Sequence, residues 1–271
     1  MLLNTVGDKL DIIILAGQSN AEGYGLGACE DEYRPTPNIL MMKDTDNQGY
    51  AKDEKSFVHF QMQMPRDYLI GIAEERFAPK GKIGCFALSF AREYERKHLA
   101  PDRRLLIIQS AVGATGFAKG LWGLGEILYE RLCEMTSLAL GMNPENRVVA
   151  VLWHQGEHDA VFKPRLSDEE RFAAHSENLT RLIADFRSRF GTSPFIMGGY
   201  TDEWSATCER YKPILDAQLE MQKKFDLVGF ASAEGLETNN QTLDNGDKYH
   251  FSRNSLDILG KRYFAEYERL I

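Results

Sequence analysis

Ser19 stands in Gly17-Gln18-Ser19-Asn20, directly after the apolar run Asp11-Ile12-Ile13-Ile14-Leu15-Ala16. A serine on a glycine-flanked turn at the carboxyl end of a buried strand can expose its hydroxyl at the mouth of a sheet, where a nucleophile is needed. Near the other end, Asp247-Lys248-Tyr249-His250-Phe251 places an acid three residues before a histidine. On a loop entering a helix, that acid can reach the ring nitrogen opposite the one facing Ser19 and hold the reactive tautomer. Serine, aspartate and histidine so arranged point to acyl transfer. Each alone has an ordinary reading: Gly-x-Ser turns cap helices, a lone histidine is satisfied in a core, and Asp247 belongs to the turn-forming run Asp244-Asn245-Gly246-Asp247.

Two further blocks follow predicted strands. In Val151-Leu152-Trp153-His154-Gln155-Gly156-Glu157-His158-Asp159, Gln155 offers an amide donor for a developing oxyanion or is a plain turn amide, and Glu157 supports the site or is a surface acid. His154 and His158 are spaced like a zinc pair, but Gln155 replaces the glutamate and the segment runs from strand to loop, so His154, Glu157, His158 and Asp159 are given no metal role. In Gln109-Ser110-Ala111-Val112-Gly113-Ala114-Thr115-Gly116, Gly113 can present its N–H without side-chain obstruction, or serve an ordinary turn. Trp122 could wall a sugar site, with core packing the stronger expectation.

The elements that must position these groups are visible as hydrophobic pattern. Short β-rich runs at Asp11–Ala16, Arg104–Ser110, Arg147–Trp153, Pro194–Tyr200 and Leu227–Ser232 alternate with segments of helical period, clearest at Leu121–Leu140, Ser167–Phe190, Cys208–Phe225 and Ser252–Arg269. That alternation reads as β-α-β units feeding a parallel sheet, an α/β fold. Ser167 with Glu170 makes a capping box, and Asn143-Pro144 and Gly191 are helix stops. The stretch Gly23–Pro65 lacks a sustained period and reads as a long excursion that either walls a pocket or is solvated loop.

With 271 residues and 43% hydrophobic content the chain suits a single domain spanning 1–271. Its 32 basic and 40 acidic residues give a charge of −8 with no basic block, so a nucleic-acid partner is not expected. Cys29, Cys85, Cys133 and Cys208 form no Cys-x-x-Cys pair and read as small packed side chains. Neither a secretion signal nor a membrane span is evident, so cytoplasmic residence is expected unless a leader has been removed.

Together, Gly17-Gln18-Ser19-Asn20, Gly84-Cys85-Phe86-Ala87-Leu88-Ser89-Phe90-Ala91, Gly113-Ala114-Thr115, Trp153-His154-Gln155-Gly156-Glu157 and Asp247-x-x-His250-Phe251 resemble the SGNH-hydrolase superfamily. The likeness is to carbohydrate esterase family 6, the acetylxylan esterase-like group, and to the related sialate O-acetylesterase domain. The resemblance implies a flavodoxin-like three-layer α/β/α sandwich around a five-stranded parallel sheet. It also implies a serine esterase, free of metal and cofactor, that removes O-acetyl groups from sugars. By position Ser19 would be the nucleophile, His250 the general base and Asp247 its orienting acid. The N–H groups of Ser19 and Gly113 with the Gln155 side chain would form the oxyanion hole, supported by Gln18, Asn20 and Glu157. His158 stands where serine is usual, and Ala21-Glu22 replaces the more frequent Met-Ala or Met-Ser; both departures bear on substrate preference. The implied partner is an acetylated carbohydrate, with no nucleic acid or membrane. Xylose, a sialic acid or another sugar remain open, the negative charge counting mildly against a sialate, and oligomeric state is unread. The rivals are a lipase or thioesterase of the same superfamily and a non-catalytic carbohydrate-binding protein, the latter opposed by the presence of Ser19, Asp247 and His250 together.

Overall fold

A strand covered by helices on both faces is apolar throughout, and Lys9–Gly17 (β1) is buried from Leu10 onward. The structure, a computed structural model, describes residues 7–44, 68–78, 81–163 and 165–271. Around β1 lie β2 (Ile39–Asp44), β3 (Tyr68–Ile72), β6 (Arg103–Gln109), β7 (Arg147–His154), β8 (Phe195–Gly198) and β9 (Val228–Ala231), in one sheet of order β3-β2-β6-β1-β7-β8-β9. All run parallel except β3, which pairs antiparallel with β2 at one edge. The short β4 (Arg76–Ala78) and β5 (Gly81–Ile83) form a separate two-stranded ribbon.

Among the described residues the expected five-stranded sheet is therefore a seven-stranded one, with six parallel strands and an antiparallel edge. The added parallel strand, β2, lies inside the 23–65 excursion expected to have little regular structure. Its Ile39-Leu40-Met41-Met42 run is buried, and it pairs with Leu105–Ile108 of β6. A run this short, apolar on both faces, shows no alternation to announce it. The part of the excursion beyond Asp44 lies outside the described residues.

The helices are α1 (Ser19–Glu22), α2 (Phe86–Lys97), α3 (Ile127–Gly141), α4 (Glu157–Val161), α5 (Asp168–Phe190), α6 (Asp202–Ser205), α7 (Tyr211–Lys224), α8 (Asn239–Leu243) and α9 (Arg253–Leu270). Pleating sends alternate β1 side chains to opposite layers. Ile13 and Leu15 join Phe86, Phe90, Leu259 and Tyr263 of α2 and α9, whereas Ile12 and Ile14 join Tyr129, Leu182, Phe186 and Met221 of α3, α5 and α7. The result is a three-layer α/β/α arrangement. Ser167 and Glu170 do form the capping box of α5, and Gly191 ends it at φ +86°. The helix expected from Leu121 starts only at Ile127, after Gly125 turns the chain at φ +77°. Among the described residues no helix is long and apolar enough to cross a membrane.

At the amino end of the sheet the fully buried Asp11 accepts from Arg103 Nε at 2.8 Å, Arg147 Nε at 2.7 Å and the Tyr94 hydroxyl at 2.9 Å. This knot joins the starts of β1, β6 and β7. The carboxyl ends of the same strands are left to build the site. There the neighbours of β1 diverge, β6 to one side and β7 to the other, which is where open α/β sheets leave a crevice.

Candidate active site

Glycine at position 17 is a packing requirement. Its φ is +128°, and a Cβ there would lie 2.1 Å from the His154 carbonyl oxygen. That close approach lets the Gln18 N–H reach His154 O at 2.9 Å, so the chain leaves β1 against the end of β7 and enters α1 with the half-buried Ser19 as its first residue. The neighbours of Ser19 then fasten the site. Gln18 Oε1 accepts from the N–H groups of Gly156 (3.3 Å) and His158 (3.1 Å), tying the turn after β7 to the turn that carries Ser19. Asn20 Nδ2 donates to Glu157 Oε1 at 2.8 Å and to Tyr249 O at 3.0 Å, while its Oδ1 accepts from Phe251 N at 3.3 Å. The side chain next to Ser19 thus grips the backbone on both sides of His250.

His250 and Asp247 are in direct contact, Nδ1 to Oδ2 at 2.9 Å. Oδ1 of Asp247 accepts from His250 N at 3.2 Å, and Asn239 Nδ2 donates to Oδ2 at 3.0 Å. Burial pushes the Asp247 carboxyl up, but the hydrogen bonds from His250 and Asn239 outweigh it and hold the group below the usual aspartate range. An ionised Asp247 fixes the proton of His250 on Nδ1 and leaves Nε2 as the basic nitrogen. One face of the imidazole is stacked on Tyr24, ring centroids 4.8 Å apart and planes inclined by 19°.

Glu157 lies elsewhere. It is buried, its contact is with Asn20, and its Oε1 is 3.7 Å from His154 Nε2. The hydroxyl of Tyr263 donates to Trp153 O at 2.9 Å and so accepts from His154 Nδ1 at 3.0 Å, which leaves His154 Nε2 unprotonated and facing Glu157. Burial raises the Glu157 carboxyl and lowers His154 to about 3, favouring the uncharged form of both. The alternative reading of Glu157 as a surface acid does not hold.

The three expected oxyanion donors have different surroundings. The Gly113 N–H donates to Glu22 Oε2 at 2.9 Å, and a Cβ on Gly113 would lie 3.5 Å from the Ser19 Cβ, so Gly113 is beside Ser19. Gln155 is fully buried, its amide donating to Gln18 Oε1 and Thr115 O, both at 3.3 Å. The third donor, the Ser19 N–H, belongs to the residue that opens α1. Trp122 is core, not sugar wall: it is fully buried, donates from Nε1 to Thr115 Oγ1 at 2.9 Å and packs edge-on against Trp153. Asp159 holds the segment after Gly116 by accepting from Phe117 N and Ala118 N at 3.2 and 3.0 Å and from His175 Nδ1 at 3.1 Å. Partly exposed His158 packs its ring on Phe162, centroids 5.3 Å apart. Among the described residues no group of three His, Cys, Asp or Glu side chains is arranged to hold a metal ion.

Tyr24, Arg76 and Asn239 were not singled out in the sequence. Arg76 reaches the site through a contact 54 residues away in the chain, and Asn239 reaches Asp247 across only eight residues, from the start of α8. Glu22 carried a local signal, being one helical turn after Ser19.

The turn that carries Ser19 after β1 and the Asp247–His250 loop before α9 lie together at the carboxyl ends of a flavodoxin-like sheet. Residues 9–269 match the family described as carbohydrate esterase, sialic acid-specific acetylesterase, and the chain belongs to that family. It is a carboxylic ester hydrolase that acts on O-acetyl groups of carbohydrates. A relative from Escherichia coli (strain K12), described as "Probable 9-O-acetyl-N-acetylneuraminic acid deacetylase", is 26% identical over 227 residues, covering 73% of this chain and 69% of its own. The crystal structure of NanS superposes with a TM-score of 0.72 at 19% identity over 97% of each chain. An Arabidopsis thaliana protein of known structure superposes with a TM-score of 0.69 at 21% identity, covering 96% of this chain and 98% of its own. At these identities the two structures speak for the fold.

Proposed function

We propose that the protein hydrolyses O-acetyl esters of a sialic acid by a two-step serine mechanism. Ser19 attacks the acetyl carbonyl as His250 Nε2 takes its proton; the sugar oxygen leaves with that proton, and water, deprotonated by the same histidine, releases acetate. Asp247 keeps the imidazole in the required tautomer and stabilises the imidazolium. The observation that carries this reading is the 2.9 Å contact between His250 and Asp247 on a loop that Asn20, the neighbour of Ser19, grips from both sides. The sialate assignment is supported by the family match and by the name of the Escherichia coli relative.

The test is a comparison of acetate release from O-acetylated N-acetylneuraminic acid and from acetylated xylo-oligosaccharides. At least about a tenfold preference in kcat/KM for the sialate is expected, a difference of ~1.4 kcal/mol in transition-state binding. Equal rates, or preference for xylo-oligosaccharides, would refute the sialate assignment while leaving ester hydrolysis intact.

A further inference from the structure

We infer that Glu22 determines specificity in this site, as a built-in carboxylate that holds the Gly113 N–H until an ester carbonyl oxygen replaces it. The inference rests on the reading of Ser19 as nucleophile. Glu22 follows Ser19 by three residues on α1, so the two side chains leave neighbouring points of one helical face. Its Oε2 is 2.9 Å from Gly113 N, within the 2.7–3.1 Å range (roughly) expected between an oxyanion and its donor. The place of a Gly113 Cβ lies 3.4 Å from that oxygen and 3.5 Å from both the Ser19 Cβ and the Tyr24 hydroxyl. Donor, nucleophile and carboxylate share one small space, and the carbonyl oxygen of an ester on Ser19 cannot use the Gly113 N–H while Glu22 does.

The surroundings let the side chain leave while its backbone stays. The Glu22 carbonyl oxygen is fixed by Gln109 Nε2 at 3.0 Å. Glu22 Oε1 meets Arg76 Nη1 at 3.2 Å, and Arg76 also donates to Gly23 O and lies 5.3 Å over the Tyr24 ring, whose stacking on His250 extends the column to the base. The guanidinium therefore retains a counter-charge for Glu22 after Gly113 is released.

Two consequences follow for substrates. Every ester must displace a charged acceptor from its donor, which lowers apparent affinity by the fraction of sites that are open. A substrate that brings its own donor to the displaced carboxylate recovers part of that loss. A sugar with a free hydroxyl beside the acetyl ester does so, and an aryl acetate does not. Glu22 thus favours O-acetyl sugars bearing a free neighbouring hydroxyl.

The experiment compares wild type, Glu22→Ala and Glu22→Gln in two assays. One is the second-order rate of Ser19 labelling by a fluorophosphonate, whose phosphoryl oxygen takes the oxyanion position. The other is kcat/KM on 4-nitrophenyl acetate and on a mono-O-acetyl sugar with free neighbouring hydroxyls. Glu22→Ala should label about tenfold faster and gain about tenfold on the aryl ester, while the ratio of sugar to aryl activity falls by about tenfold or more; Glu22→Gln, isosteric and uncharged, should shift both the same way by less. If Glu22→Ala does not fold, Glu22→Gln alone decides. Wild-type labelling rates with an unchanged activity ratio, or slower labelling in the variants, would overturn the role of Glu22. Failure of the wild type to be labelled at Ser19 would instead overturn the nucleophile assignment on which it rests.

Discussion

Asn20 Nδ2 lies 2.8 Å from Glu157 Oε1 and 3.0 Å from Tyr249 O, so one amide joins the turn after β7 to the loop that carries His250. Its Oδ1 closes the grip on Phe251 N at 3.3 Å. Ser19 and His250, proposed as nucleophile and base, come from opposite ends of the chain, and a side chain adjacent to the first sets the place of the second. Asn20→Ala should therefore act on catalysis and on stability together. Leaving the buried Phe251 N–H and the Glu157 carboxyl unpartnered should cost about 2–4 kcal/mol, and loosening the His250 loop should cost roughly tenfold or more in kcat with little change in KM. Thermal unfolding and steady-state kinetics measure the two effects. A variant with lowered midpoint and normal kcat would show the grip to be structural alone.

The two carboxylates near the site separate cleanly by variant. Asp247→Asn keeps the shape but not the charge that fixes the His250 tautomer, and turnover should fall by up to about four orders of magnitude. Glu157→Gln keeps an acceptor for Asn20, and because burial already favours the uncharged form of Glu157 it should cost little kcat. Steady-state kinetics on both variants decide, and the reverse order of severity would move the orienting role to Glu157.

How much of this was legible in the sequence depends on the range of the contact. The strands at Asp11, Arg104, Arg147, Pro194 and Leu227 announce themselves by apolar runs bounded by turns, and all five are present with ends shifted by a few residues. The Ser167 cap is local chemistry and was readable from four residues. β2 carries no signal, because an Ile-Leu-Met-Met run buried on both faces has no period, whereas α2 carries one in the buried Phe86, Phe90 and Tyr94, spaced by four. In the site, the Asp247–His250 contact spans three residues and could be anticipated. The hold of Glu22 on Gly113 and of Asn20 on the His250 loop crosses 91 and 229 residues and exists only once β6 lies beside β1 and the loop before α9 is folded against the end of β1.

His154 provides a pH signature of the buried layer beneath the site. Unfolded, a histidine titrates near 6.5; in the fold burial lowers His154 to about 3. Between those values the unfolded chain binds the extra proton, so this contribution rises with pH and is lost as pH falls from about 6.5 towards 3, by at most about 5 kcal/mol. Glu157 has the opposite sign: its folded carboxyl is raised, so its contribution declines as pH rises from about 4.3 into the raised range. His154→Gln removes the first and keeps the second. The gap in unfolding midpoint between wild type and variant should therefore narrow between pH 7 and pH 4, and a gap constant across that range would contradict the buried, neutral His154.

Asp11→Ala tests the far end of the sheet. Two arginines and Tyr94 converge on this buried carboxylate, and its removal should cost about 3 kcal/mol, the low end for a buried pair because Arg147 is largely exposed. The denaturant midpoint should drop while kcat of the folded enzyme stays unchanged, since the knot lies at the opposite end of β1 from Ser19. A large loss of kcat at low denaturant would tie the knot to the site.

The central claim is that Ser19 carries the acyl group. Rapid acid quench of the enzyme turning over an O-acetyl sugar, followed by peptide mass analysis, measures this directly. An acetyl group is expected on the peptide containing Ser19, and no acetate release from Ser19→Ala with a nearly unchanged unfolding midpoint. Acetylation of another residue, or sustained turnover by the alanine variant, would contradict it.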